Sequence, residues 1–308
     1  MNPTHIYSCD WGTVATKRWL GEANLRKDKT YNARVPRLVG DVTRLIPSIR
    51  HEIGSHGCAL IGFDFPIGLP FQYARLAGIE NFKSFLMELG SGTWANFLDC
   101  ARLPAEISLH RPFYPFKPGG TKQAHLLEAL GLQEIDDLRR RCEKKRVGRR
   151  AACALFWTLG ANQVGKGAIT GWRDVIAPAL RSGDPVFLWP FDGPLEDLLR
   201  PGRIVIVETY PAECYDWFFA GPIKGKGKQD VRRKVGGELL GWAESTGVEL
   251  DLRLVRTIED GFADGDDPFD ALVGLFGMLA VVIGRPTGEP SGDQIGKLEG
   301  WIFGQNPG

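Results

Sequence analysis

The sequence predicts an α/β protein whose mixed sheet begins β, β, β, α, β and which carries a large, mostly helical insertion. Residues 6–9, 17–22 and 34–39 are rich in β-forming side chains and lie close together along the chain, which indicates an antiparallel arrangement of three strands. Residues 59–65 form an almost continuous apolar run, typical of a strand that is buried on both faces. From about residue 71 to 200 the pattern changes to helices separated by Gly and Pro clusters.

Between the third and fourth strands, Asp41 is predicted to cap a helix that runs through Ile53 and ends near Gly54. The insertion is predicted to be helical at residues 73–89, 94–103, 122–130, 134–150 and 172–180. Strand character returns at 186–189 and 204–207, followed by a helix from Gln229 to about Thr246 and an apolar helix from Asp267. We therefore expect residues 1–70 and 201–308 to form one core and 71–200 to form the insertion.

The composition excludes disorder, because 43% of the 308 residues are apolar and include 17 Phe and 9 Trp. The longest uncharged apolar run, 271–284, is too short to span a bilayer, and the first ten residues do not resemble a secretory signal. The six cysteines form no C-x-x-C pair, so we expect reduced thiols and no structural zinc. The predicted location is the cytoplasm, with no membrane partner; the sequence indicates no particular protein partner.

Three apolar, strand-like runs are each followed or interrupted by a carboxylate: Asp10, Asp64 and Glu208. In open α/β sheets, ligands bind beyond the carboxyl ends of the strands, so these acids are expected to converge. The structural alternative is that an Asp at a strand end caps a helix or stabilises a turn. A buried Glu208 would need a partner or a metal ion to offset its desolvation.

Two further acids, Asp267 and Asp270, lie three residues apart at the predicted start of the last helix, where both can face one side. Asp267 as N-cap, with Pro268 in the first helical position, is the structural alternative. Clustered carboxylates repel one another unless cations intervene, and their hard oxygens suit Mg²⁺ or Mn²⁺. Two such ions, roughly 3.5 to 4 Å apart, can hydrolyse a phosphodiester.

The chain also resembles the domain-of-unknown-function family described as predicted ribonuclease H-like nucleases. The resemblance is carried by Asp10 and by segments spread over most of the chain: GFDFPIGLP at 62–70, GANQVG at 160–165, GW at 171–172, ETYP at 208–211, DPFDAL at 267–272 and LEGWI at 298–302. It implies a ribonuclease H-like fold in which Asp10, Asp64 and Asp270 bind the metal ions. Asp267 matches the accompanying position of a D-x-x-D pair, and Glu208 matches a Glu-x-x-Pro motif.

Basic residues offer a surface for a nucleic-acid substrate. Residues 139–150 include eight Lys or Arg and one acid, and Arg149 and Arg150 are predicted to contact a phosphate backbone. Lys224, Lys226 and Lys228 lie in a glycine-rich loop that follows Glu208 closely, and its glycines allow close approach of the backbone. The alternative is a solvated basic face without a ligand.

Taken together, the residues predict a metal-dependent nuclease in which Asp10, Asp64, Glu208 and Asp270 are catalytic and Asp267 assists as a ligand or base. One alternative is an ATPase or sugar kinase with an actin-like fold, because residues 10–17 resemble the first phosphate loop of that class. No convincing second phosphate loop follows in the sequence. The other alternative is a nucleic-acid-binding module without catalysis, in which the acids serve as caps and turn formers.

Overall fold

The computed structural model describes residues 2–146, 149–159, 164–221 and 223–307. The chain divides into two compact units. The first contains residues 1–64, 195–288 and 302–306, and the second contains 65–194, 289–301 and 307–308. The chain thus leaves the first unit directly after Asp64, returns to it at Leu195, and contributes residues 289–301 to the second unit.

A mixed β-sheet forms the centre of the first unit. The strands of the chain are β1 (His5–Trp11), β2 (Arg18–Leu25), β3 (Tyr31–Leu38), β4 (Ala59–Phe63), β5 (Val186–Leu188), β6 (Ile204–Glu208) and β7 (Glu249–Leu250). Within the first unit they lie in the order β6-β4-β1-β2-β3-β7. The β1-β2 and β2-β3 pairs are antiparallel, whereas β1-β4, β4-β6 and β3-β7 are parallel. The predicted α/β class, mixed sheet and β, β, β, α, β start are confirmed.

The helices are α1 (Leu45–Ile53), α2 (Phe71–Leu76), α3 (Phe82–Glu88), α4 (Ala124–Leu130), α5 (Val164–Gly171), α6 (Ala177–Arg181), α7 (Leu195–Leu198), α8 (Pro211–Phe218), α9 (Gln229–Thr246), α10 (Leu252–Asp260) and α11 (Asp267–Ile283). The predicted bounds of α9 agree with the structure. The helices α5, α7, α8 and α10 were not predicted. Within the described parts of the chain, no helix combines the length and apolar character needed to cross a membrane.

The predictions of helices at 94–103 and 134–150 are wrong, because residues 94–103, 134–146 and 149–150, which the structure describes, contain only short 3-10 turns. In the second segment, arginine side chains donate hydrogen bonds to backbone carbonyls. Arg139 Nε donates to Ala152 O at 2.7 Å, and Arg149 Nη1 donates to Cys142 O at 2.6 Å. Arg139 and Arg149 of the basic segment therefore stabilise its irregular backbone.

Helix α11 lies on the sheet face that carries Ser8, because small residues allow close contact. A Cβ added at Gly274 would lie 2.4 Å from Ser8 Oγ, and one added at Gly21 would lie 2.9 Å from the carbonyl oxygen of Ala271. Ser8 pairs with both Gly21 and Gly62, so these three residues share one face of the sheet. The contact between α11 and the sheet determines where the first turn of the helix lies.

Several segments that carry the family resemblance pack together inside the second unit. Leu69 N donates to Leu298 O at 2.8 Å, and a Cβ added at Gly68 would lie 2.0 Å from the Glu299 carbonyl oxygen. Trp172 Nε1 donates to the carbonyl of Pro66 at 2.8 Å. The glycine in the first of these motifs is thus required by a close approach between backbones. Residues 160–163 of the GANQVG motif lie outside the described residues.

Candidate active site

The register of the central strands brings Asp10 and Asp64 together. Cys9 of β1 pairs with Phe63 of β4, and the amide of Asp64 then donates to the carbonyl of Cys9 at 3.0 Å. Side chains alternate along a strand, so Asp10 projects from the same face as Ser8, the face covered by α11. Asp64 follows Phe63 and shares that face. The two carboxylates therefore lie side by side at the carboxyl ends of neighbouring parallel strands.

The start of α11 adds further carboxylates to this site. Asp266 is the N-cap residue and makes no side-chain capping bond, and Asp267 is the first helical residue. Asp267 accepts a hydrogen bond from Lys17 Nζ at 2.8 Å. Asp270 lies in the first turn, and its side chain is only 14% exposed. Asp267 is therefore not the N-cap, which was the structural alternative for this residue.

The carboxylates influence one another electrostatically, which shows that they converge. Burial raises the pKa of Asp10 to about 9, with further increases from Asp64, Asp270 and Asp267. The pKa of Asp64 is raised to about 7 by burial first and then by Asp270. Burial also raises the pKa of Asp270, although Lys226 opposes the change. Asp10 and Asp64 therefore resist ionisation near neutral pH more than an ordinary carboxyl group does.

Neither Asp10 nor Asp64 accepts a side-chain hydrogen bond from any residue that the structure describes. Both residues are half-buried, and burial raises the pKa of both carboxylates. The charge of Lys226 lowers the pKa of both carboxylates, but burial raises it by more.

Asp270, in contrast, has two partners from the first unit. The ammonium of Lys226 donates to Asp270 Oδ2, and the hydroxyl of Tyr215 donates to Asp270 Oδ1. Lys226 Nζ also donates to the Tyr215 hydroxyl at 2.9 Å. Burial lowers the pKa of Lys226, but the carboxylates of Asp270 and its neighbours raise it overall, so the lysine is charged. Lys226 and Tyr215 hold the Asp270 carboxylate in place.

Across the described parts of the chain, no three His, Cys, Asp or Glu side chains are arranged as a complete set of metal ligands. The contacts of the acids explain this result. Asp270 faces an ammonium and a hydroxyl, and Asp267 faces another ammonium. Of the predicted ligands, only Asp10 and Asp64 accept no hydrogen bond from an ammonium or hydroxyl group among the residues that the structure describes.

Glu208 is buried at the end of β6, but it lies on the other side of the sheet. It pairs with Phe63, and its neighbour Thr209 is the residue that approaches Gly62 on the α11 face. The carbonyl of Glu208 accepts a hydrogen bond from Phe303 N at 2.8 Å. The charge of Glu208 still contributes to the raised pKa of Asp64. Its catalytic role stays a prediction, with its side chain separated from Asp10 by the sheet.

The residues predicted to bind substrate occupy different environments. Lys224 and Lys228 are exposed in the glycine-rich loop of the first unit, whereas Lys226 points to Asp270. Arg149 and Arg150 belong to the second unit. Arg149 is half-buried and bonded to backbone carbonyls, and Arg150 is exposed. Of these five residues, only the three loop lysines belong to the same unit as the acids.

Sequence reasoning missed three residues of the site: Lys17, Tyr215 and Thr209. Thr209 Oγ1 is buried without a hydrogen-bond partner among the described residues, on the same face as Asp64. Tyr215 reaches Asp270 because α8 packs against α11. The only local signal for Thr209 was its position directly after Glu208, and no periodicity in the sequence indicated Tyr215 or Lys17.

No protein-family model matches the chain, and no curated protein or solved structure matches it significantly.

Proposed function

We propose that this protein is a metal-dependent phosphodiesterase that hydrolyses nucleic acid, with Asp10, Asp64 and Asp270 as ligands of Mg²⁺ or Mn²⁺. The observation that carries this proposal is the adjacent pair Asp10 and Asp64, which are half-buried, have raised pKa values and accept no side-chain hydrogen bond from the described residues. A divalent cation supplies the charge that such a pair needs. Carboxylate oxygens are the hard ligands that these two metals prefer.

The topology supports a ribonuclease H-like core for this function. Three antiparallel strands are followed by a helix and a strand parallel to the first. The three acids stand at the ends of the first and fourth strands and in the first turn of the last long helix. This placement agrees with what the family resemblance implies for the metal ligands.

The residues of the site would have separate roles. A bound divalent ion activates water and stabilises the leaving oxygen of a phosphodiester. Asp10 and Asp64 would hold the ion, and Tyr215 and Lys226 orient the carboxylate of Asp270. Lys224 and Lys228 are exposed on the loop that carries Lys226. These two lysines are available for the phosphate backbone of a nucleic acid.

A calorimetric titration with Mn²⁺ tests the metal site without assuming a substrate. We expect the wild type to bind Mn²⁺ and Asp64→Asn to lose this binding, because the amide removes one anionic ligand. Asp99→Asn serves as the matched control, since Asp99 is exposed in the second unit. Cleavage of single- and double-stranded DNA and RNA is then measured with the same three proteins, and Asp64→Asn is expected to be inactive.

Two results would contradict this function. If the wild type binds no Mn²⁺ up to millimolar concentration but is stabilised against heat by Mg-ATP, the actin-like ATPase is favoured. If nucleic acid binds equally well to the wild type, Asp64→Asn and Asp270→Asn, and none of them cleaves it, the chain is a binding module. In either case the acids do not form a nuclease site.

A further inference from the structure

We propose that Lys226 takes the place of a second metal ion, so that the carboxylate cluster binds one divalent cation, an inference that rests on the proposed function. The ammonium of Lys226 contacts Asp270 and Tyr215 and lies 5.5 Å from the centre of the Tyr215 ring. A positive charge thus already occupies the side of the site formed by α11. Several clustered acids ordinarily support catalysis by two metal ions. That mechanism would need a second divalent ion on the side of the site where this ammonium lies.

Counting charges leads to the same stoichiometry. Lys17 forms an ion pair with Asp267, and Lys226 forms one with Asp270. Asp10 and Asp64 then remain without a cationic hydrogen-bond partner in the described chain. Two carboxylates are balanced by one divalent ion. A second ion at Asp270 would have to displace the ammonium, or it would bind close to a like charge in a site of low dielectric.

The position of Lys226 is determined by the framework of the first unit. The carbonyl of Lys226 accepts a hydrogen bond from Arg232 Nη1, and Arg232 is only 2% exposed. The same guanidinium donates to the carbonyls of Gly261 at 3.0 Å and Phe262 at 2.9 Å. Arg232 therefore ties the lysine loop to the turn that precedes α11, and the ammonium has a defined place.

Lys226 also has a donor left for the substrate. An ammonium has three N–H donors. One binds Asp270, another binds the hydroxyl of Tyr215, and no further acceptor is found among the described residues. The remaining N–H is suited to a non-bridging oxygen of the phosphodiester. We therefore assign to Lys226 the stabilisation of phosphate charge that a second metal ion would otherwise provide.

The test is the number of Mn²⁺ ions bound, measured by calorimetry and by electron paramagnetic resonance. We expect one ion in the wild type, with the six-line spectrum of isolated Mn²⁺. Lys226→Gln removes the charge at similar size and is expected to bind two ions with a spin-coupled spectrum. Lys226→Arg retains the charge, and Tyr215→Phe retains the lysine, so both are expected to bind one ion.

Three other outcomes would each contradict this inference. Two coupled ions in the wild type would leave the metal site intact and overturn the role of Lys226. One ion in both the wild type and Lys226→Gln would also overturn it, because the lysine would not limit the stoichiometry. No binding in the wild type would contradict the proposed function itself, and this inference with it. Circular dichroism confirms folding, and if Lys226→Gln does not fold, the wild-type and Lys226→Arg stoichiometries decide.

Discussion

The amide of Asp64 donates to the carbonyl of Cys9 at 3.0 Å, and this single hydrogen bond continues the β1-β4 ladder beyond its last register pair. It places the carboxylate of Asp64 next to that of Asp10, on the face of the sheet covered by α11. Two adjacent, half-buried acids destabilise the fold when both are ionised. Because the two acids have raised pKa values, the metal-free protein should lose stability as they ionise.

The stability of the metal-free protein is expected to fall as pH rises from 5 to 9. Asp10 and Asp64 have pKa values of about 9 and about 7 in the folded chain, against a usual value of 3.8. Over this range the folded state binds more protons than the unfolded state, so stability decreases with pH. Melting temperatures in the presence of a chelator measure the slope.

Asp10→Asn removes the acid with the larger increase in pKa. This variant is expected to show a weaker dependence of stability on pH. Asp99→Asn, at an exposed position, should keep the slope of the wild type. Equal slopes in all three proteins would show that the paired carboxylates do not contribute. Addition of Mn²⁺ should raise the melting temperature of the wild type more at pH 8 than at pH 6, because the metal competes with protons for the same oxygens.

Two adjacent glycines of α9 should respond in opposite directions to alanine. A Cβ at Gly236 would lie 2.8 Å from the carbonyl oxygen of Ile258 in α10, whereas Gly237 is exposed with open space around it. We expect Gly236→Ala to cost about 1–3 kcal/mol by overpacking. Gly237→Ala should add about 1 kcal/mol through helix propensity. Urea denaturation measures both, and equal effects would contradict the packing of α9 on α10.

Thr209→Val tests the buried hydroxyl beside Asp64. Thr209 Oγ1 has no hydrogen-bond partner among the described residues, so its desolvation is not compensated. The isosteric valine should therefore increase the free energy of unfolding by about 1 kcal/mol. Thr158 is the control, because its buried hydroxyl donates to the carbonyl of Pro115. Thr158→Val should cost about 1–2 kcal/mol, and a loss of similar size at Thr209 would indicate an additional partner for its hydroxyl.

Arg140→Met is expected to destabilise the second unit by about 3–5 kcal/mol. The Arg140 side chain is fully buried, and its guanidinium forms an ion pair with Glu143 at 2.8 Å and donates to Glu299 O at 3.1 Å. Removal of the arginine leaves a buried carboxylate without its counter-charge. Arg150→Met, at an exposed position of the same basic segment, should change stability by less than about 0.5 kcal/mol. Thermal denaturation compares the two variants.

Local patterns were sufficient for the elements and for the positions of the acids in the chain. The spacing of apolar residues predicted α9 with its observed bounds, and the alternation of strand and turn residues predicted the start of the sheet. Asp10 and Asp64 were identified from their place at strand ends. These features depend on interactions between residues near one another in sequence, which is why the sequence reveals them.

The local pattern failed where side chains form long-range contacts. Residues 134–150 have a helical pattern, yet buried Arg140 and the carbonyl bonds of Arg139 and Arg149 hold the described residues of this segment in an irregular conformation. A pattern of basic residues cannot show which arginine is buried, because burial depends on segments far along the chain. The exposed and buried members of this segment became distinguishable only from the tertiary contacts.

The sequence by itself determined the α/β class, the order of the first elements and the set of acids that can converge. Only the tertiary structure decided that Lys226 and Tyr215 bind Asp270, and that Glu208 lies on the other face of the sheet from Asp10 and Asp64. Strand register and the packing of α8 and α11 determine these relationships. Both depend on contacts between segments that are distant in the sequence, and local propensities carry no information about such contacts.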